Sequence, residues 1–284
     1  NYDNMFNGAN AMNTAYDGAP GYGNTPTYGF FNKTPITQAN IQQAVREWCT
    51  DPTTAEATYG HIKNWDTRAV TNMNELFGQT EATFLFNDDI SRWNVSNVTN
   101  MSFMFGQNRV FNQPIGNWDV SKVTNMYGMF YATSAFNQPI NKKPNVTMNG
   151  ATYTAWDVSN VTTMKWMFYG ATLFNQPIGD WDVSSVTDMS GIFQGVVYFN
   201  QPIGNWNVSK VTDMNNMFNS AVQFNQPIGN WNVSKVTDMN NMFNSAEVFN
   251  QDISGWDVSS VTDMNNMFNT AGQFNQPIGN WNVS

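Results

Sequence analysis

The stretch FNQPIGNWNVSKVTDMNNMFNSA at residues 199–221 recurs without change at 224–246, so the chain reads as an array of one unit with a 25-residue period. Tryptophans carry the same period in both directions. They fall at Trp65, Trp93, Trp118, Trp156, Trp181, Trp206, Trp231, Trp256 and Trp281, and six of the eight intervals are 25 residues. The other two intervals contain insertions. About three residues are added around Thr80 to Thr83, and thirteen, NKKPNVTMNGATY at 141–153, form an expected loop bulging from one coil. Units this similar must pack against copies of themselves, so a lone unit does not fold and the 284-residue length is no guide to domain count.

Within the unit, Val211, Met214, Phe218 and Ala221 are spaced three, four and three, which predicts a short helical or 3₁₀ segment with an apolar inner stripe. Ser209 and Thr212 are candidate N-caps, and Asp213 sits where a helix N-terminus favours negative charge. The other half, FNQPIGNWNV, carries Pro and Gly and reads as extended chain with a turn. Ile203 to Val208 is the expected strand, and Pro202, having no N–H, lies outside its ladder. The expected fold class is an α/β repeat solenoid with a short parallel strand plus a short helix or 3₁₀ segment per coil. Its expected core includes Trp118, Trp181, Trp206, Trp231, Trp256, Phe193, Phe218, Phe243, Phe268, Ile203 and Ile228.

Three segments follow from the phase. Residues 65–284 form eight coils and the start of a ninth. Residues 34–64 break the period, and Ile36, Ile41, Val45 and Trp48 fit an amphipathic helix that caps the open end of the stack. In residues 1–33, MFNGANAM matches the MFNSA part of a repeat and is followed by a segment rich in turn formers. It reads as the last coil and closing loop of a preceding module. Ser284 stops three residues short of the phase at which Asn1 resumes, so the expectation is a longer array of modules joined head to tail.

Composition narrows function. A net charge of −9 with 12 Lys and Arg residues excludes a phosphate-backbone partner, and no apolar run is long enough to span a membrane. Cys49 is the one cysteine, read as a small buried residue, and His61 the one histidine, so neither a cysteine metal set nor a histidine-based triad can be assembled. Aspartates follow the tryptophans at Asp66, Asp119, Asp157, Asp182 and Asp257 but alternate with Asn94, Asn207, Asn232 and Asn282, so no fixed carboxylate pair is presented. Catalytic, cofactor and metal residues are therefore not expected. Calcium on the Asp/Asn columns is the sole cofactor the composition admits, without a calcium-loop motif to support it. Asn-x-Ser/Thr sequons make Asn145, Asn32, Asn94, Asn207 and Asn232 candidate glycosylation sites, with Asn145 in the insertion the best placed. Tyr127, Tyr131, Tyr169 and Tyr198 vary from coil to coil and are candidate binding residues.

The motifs W-[DN]-V-S-x-V-T-x-M-x-x-M-F and F-N-Q-[PD]-I, with the A-V-x-x-W and Y-G-H-I-x-x-W-D segments before them, resemble the BspA-like bacterial surface-protein repeat family across essentially the whole chain. The resemblance implies a right-handed, leucine-rich-repeat-like solenoid, extracellular or on the cell surface, with no catalytic residues to transfer. The expected function is structural, as part of a modular surface fibre or layer that associates with itself or with neighbouring modules. The alternative is an adhesin that binds a host protein or glycan through the solenoid face.

Overall fold

The computed structural model describes residues 33–148 and 150–283, so the coil expected over residues 1–32, with Asn32, lies outside the described residues. Helix α1 (Ile41–Thr50) buries Ile41, Ala44, Val45 and Trp48, the stripe its periodicity predicts, and Ile36 is buried just ahead of it. Asp51 ends α1 and starts α2 (Pro52–Tyr59): its carboxylate accepts the Thr54 N–H at 3.1 Å, and Pro52 occupies the first turn, where a missing N–H costs nothing.

Beyond α2 the repeats stack in order, but not through the elements the spacing suggests. The N–H groups of Met214, Asn216, Phe218 and Ser220 donate to the carbonyls of Asp238, Asn240, Met242 and Asn244 in the next repeat, at 2.8–3.0 Å. Between them, the N–H groups of Met217, Asn219 and Ala221 turn back to Met214, Asn216 and Phe218, at 3.0–3.2 Å. Alternate peptide groups thus lie along the stack and around it. Such a backbone needs left-handed residues every fourth position, and Asn216 (φ 55°) and Ser220 (φ 59°) supply them.

Two expectations are corrected here. The helical or 3₁₀ segment expected over Val211 to Ala221 is a chain of turns in which only alternate residues make i→i−3 bonds, and among the described residues after Tyr59 no α-helix occurs. The strand over Ile203 to Val208 is a tight turn closed by the Trp206 N–H on the Ile203 carbonyl at 3.1 Å. Parallel pairing falls instead at one residue per repeat, running Asn72, Asn100, Asn125, Thr163, Asp188, Asp213, Asp238, Asp263. Ser209 and Thr212 cap nothing: Ser209 donates to Asn207 Oδ1, and Thr212 gives both its N–H and its hydroxyl to the Thr187 carbonyl behind it.

Side-chain columns hold the other half of the repeat. Asn200 Oδ1 accepts the Asn225 N–H at 3.0 Å and Gln226 Nε2 at 2.9 Å, which explains the FNQ triplet, and the Asn N–H bond recurs from Asn87 to Asn275. Trp231 Nε1 donates to the Ile203 carbonyl of the preceding repeat at 3.2 Å. Phe218 stacks on Phe243 with centroids 5.5 Å apart and planes 7° from parallel, and Phe224 on Phe249 in a second column. Of the expected core residues, Phe268 alone is only partly buried, in the last described repeat; the rest are buried. Gly204 keeps room for this stacking, because a Cβ there would collide with the Pro227 carbonyl oxygen of the next repeat.

The thirteen-residue insertion is a β-hairpin rather than a loop. Strands β1 (Lys143–Met148) and β2 (Ala151–Ala155) pair antiparallel, and the hairpin is tied to the stack by Tyr153, whose hydroxyl donates to the Asn117 carbonyl at 2.6 Å. The smaller insertion forms a 3₁₀ turn at Thr83–Leu85.

Candidate functional site

The backbone that stacks the repeats also sorts their outward positions. Two consecutive residues after the buried Met214, namely Asn215 and Asn216, face outward, as do Asn219 and Ser220 after Phe218. In the repeats from 213 onward these positions hold Asn, Ser and Thr. In the three repeats that start at Asn100, Asn125 and Thr163 they hold Phe103, Tyr127, Tyr131, Lys165, Trp166 and Tyr169 instead.

These side chains meet. Phe103 packs edge-on against Tyr127 with centroids 4.7 Å apart, Tyr127 lies 5.5 Å from Trp166, and Tyr131 stacks on Tyr169 at 4.6 Å. Trp166 closes the mesh, 6.0 Å from Tyr131, and carries Lys165 Nζ 5.3 Å from its ring centroid. All five rings are partly exposed. Burial first, then the neighbouring Tyr169 and Tyr127, raises the Tyr131 phenol above its ordinary range.

Two members occupy backbone positions that disfavour them. Phe103 (φ 49°) and Trp166 (φ 54°) stand at the left-handed phase that Gly128, Gly191 and Asn216 fill in other repeats. A bulky aromatic residue there costs of order 1–3 kcal/mol, and such cost concentrates at functional sites. Glycine follows each of them one repeat later. A Cβ at Gly128 would lie 2.5 Å from Phe103 Cε1, and one at Gly191 would lie 2.6 Å from Trp166 Cδ1, so each ring lies along the surface over a glycine.

Tyr127, Tyr131 and Tyr169 are thus brought together, whereas Tyr198, 52% exposed, touches no other described aromatic ring. Sequence reasoning missed Phe103 and Trp166. The signal was available in the phase, since each is an aromatic residue at a position that holds Glu75 in the first repeat and Gly or Asn in the rest.

The remaining candidates fall elsewhere. Asn145 is exposed on β1, Asn207 and Asn232 are exposed, and Asn94 is partly buried. Oδ1 of each of the last three accepts the N–H of the serine two residues on, an Asx turn that Asp performs equally well, as at Asp119. That accounts for the Asp/Asn alternation after tryptophan. Asp188, Asp213, Asp238 and Asp263 form a column whose Oδ1 atoms accept N–H groups in the same way, and no group of three or more His, Cys, Asp or Glu among the described residues is placed to hold a metal ion. Burial, then Asp88, pushes the Cys49 thiol up to about 12, which keeps it protonated and unreactive. His61 is packed edge-on against Trp48 at 4.9 Å, and its Nδ1 accepts the Lys63 N–H. Under the hairpin lies a cavity of about 180 Å³ lined by Pro114, Gly116, Asn117, Pro139, Asn141 and Lys143. No helix among the described residues is long and apolar enough to cross a membrane.

A family model described as a Mycoplasma protein of unknown function, DUF285, matches residues 51–148, 143–237 and 198–284. No curated protein and no solved structure matches the chain.

Proposed function

The chain belongs to this repeat family of unassigned activity, and from that premise we propose that it is a non-enzymatic, cell-surface binding scaffold of the adhesin type, engaging its partner through the aromatic face of three adjacent repeats. The observation that carries the reading is the placement of Phe103 and Trp166 in left-handed backbone, where the repeat before Phe103 has Glu75 and the remaining repeats have Gly or Asn. Core packing does not require those rings, because the repeats from 213 onward stack by the same hydrogen bonds with Asn there. The wider reading, a right-handed leucine-rich-repeat-like solenoid of BspA-like kin, rests on the motifs and on the stacking of parallel-paired repeats. Extracellular placement rests on that kinship alone.

Beads coated with the protein, incubated with cultured animal cells, test the reading. Retention above albumin-coated beads is expected; equal retention overturns it.

A second reading, a building block of a surface fibre, is favoured by the near-identity of successive repeats, since residues 199–221 recur unchanged at 224–246 and offer the same outward side chains from coil to coil. Negative-stain microscopy separates the readings: filaments support the fibre, and discrete short particles that still retain cells support the scaffold.

A further inference from the structure

Resting on the binding-scaffold reading, we infer that the aromatic face of Phe103, Tyr127, Tyr131, Trp166 and Tyr169 is a site for a neutral carbohydrate chain. Three features of the face select that chemistry.

The first is charge. The paired position beside the rings is Asn100, Asn125 and Thr163 in the three aromatic repeats, and it becomes Asp188, Asp213, Asp238 and Asp263 in the four repeats that follow. The rings thus stand among uncharged paired positions, with Glu75 in the repeat before Phe103 the neighbouring carboxylate at the same phase. Lys165 is the one formal charge among the outward positions of these repeats, and it lies over Trp166. A sialylated or sulfated ligand would find a single lysine in a chain of net charge −9, and a basic ligand would find no carboxylate on the face itself.

The second is shape. Ring centroids stand 4.6–6.3 Å apart across the stacked, edge-on and tilted contacts, which leaves no slot between neighbouring rings. Proline-rich peptides are recognised by rings that hold prolines in such slots. A closed surface whose rings are inclined 36–73° to one another, apart from the stacked Tyr131–Tyr169 pair, instead suits the apolar C–H face of a pyranose, which covers one ring at a time.

The third is the polar border that a sugar's hydroxyl edge requires. Oδ1 of Asn100 and Asn125 holds the local turn by accepting from Ser102 and Tyr127, and the Nδ2 amides donate to no other described residue. Those amides and the phenols of Tyr127, Tyr131 and Tyr169 are donors and acceptors without formal charge. The same pairing of ring face with uncharged hydrogen-bonding groups does not recur on the later repeats.

The repeats themselves supply conservative variants. Trp166→Asn, Tyr127→Asn and Tyr131→Asn each install the residue that the repeat at 213–221 carries at the same phase, as Asn216, Asn215 and Asn219, so the stack has a place for each. The full chain and each variant are applied to an array of neutral oligosaccharides, sialylated and sulfated oligosaccharides, and proline-rich peptides, with bead retention by cells measured in parallel. Expected are binding to neutral oligosaccharides, at least a ten-fold loss in Trp166→Asn and Tyr131→Asn, and thermal unfolding at no lower temperature than in the parent. Binding confined to acidic glycans or to peptides overturns the ligand class. Cell retention that falls in the variants without glycan binding also overturns the ligand class and leaves the scaffold reading standing. Glycan binding undiminished in all three variants overturns the site.

Discussion

Trp166 lies across Gly191 of the following repeat, so that a methyl group added at Gly191 would sit 2.6 Å from the indole Cδ1. Gly191 also has φ 56°. Gly191→Ala therefore combines left-handed strain with displacement of the ring, and a loss of about 1–3 kcal/mol is expected. Gly255→Ala is the control: nothing lies within 4 Å of its added Cβ and its backbone is not left-handed, so a change within about 1 kcal/mol is expected. Chemical denaturation of both variants checks the pair. Equal effects would mean that the indole does not rest on Gly191.

The first repeat depends on side chains for what later repeats receive from backbone. Gln38 Nε2 donates to the Asn72 carbonyl at 3.0 Å while its Oε1 accepts the Thr71 and Asn72 N–H groups, and Gln42 Nε2 donates to the Asn74 carbonyl at 2.7 Å. Arg46, four residues on again, reaches Gln79. Gln38→Ala removes three of these bonds at a partly hydrated edge, for an expected loss of about 1–2 kcal/mol. Hydrogen exchange is the sharper measurement. Amides of Thr71 and Asn72 should exchange faster in the variant while those of Thr212 and Phe218 are unchanged; uniform acceleration would show that the contact is not local.

The period, the core and the site's tyrosines were legible in the sequence because each rests on phase, which survives any local geometry. Local geometry was not legible from apolar spacing. Val211, Met214, Phe218 and Ala221 point inward whether the chain is helical or a run of i→i−3 turns, since both bring every third or fourth residue to one side. A second pattern separates them. Gly128 and Gly191 share one phase, and Gly170 and Gly195 share another four residues on, all with positive φ. Left-handed residues twice per repeat exclude a helix. The strand was misplaced for a related reason: Ile203 to Val208 reads as extended chain, but Gly204 and Asn205 turn it back so that Trp206 bonds to Ile203, whereas pairing falls on Asp213, a residue type depleted in strands.

Asp213 gives the stack a pH dependence. Burial first, with Asp188 and Asp238 on either side, raises its carboxyl above the ordinary 3.8. Between that value and the raised one the folded chain holds more protons than the unfolded chain, so this residue's contribution falls as pH rises through the interval and stays lower above it. Asp213→Asn keeps Oδ1 for the Asn215 N–H and loses the charge. The variant is expected to be more stable than the parent near neutral pH, with the difference vanishing at about pH 3. Thermal unfolding across that range decides it. A difference that does not change with pH would show that the carboxylate is unstrained in its column.

The phenylalanine column should be graded along its length. Phe218 is fully buried between Phe193 and Phe243, with centroids 5.7 and 5.5 Å away, and touches Phe224 at 4.0 Å within its own repeat. Phe218→Ala leaves a cavity closed on both sides, for which about 3–5 kcal/mol is expected. Phe268 has Phe243 on one side at 5.6 Å and Phe274 at 4.1 Å, and is only partly buried. Phe268→Ala should cost roughly half as much or less, because solvent already reaches the ring and nearby groups can relax. Stability in a repeat stack is a sum of units and nearest-neighbour interfaces, so the two substitutions should also differ in kind. Phe218→Ala should split or broaden the unfolding transition by uncoupling the halves of the stack, and Phe268→Ala should leave it single. Circular dichroism melts with hydrogen exchange of the Asn216 and Asn241 amides read both effects, and equal losses with a single sharp transition in each variant would show that the stack folds as one indivisible unit.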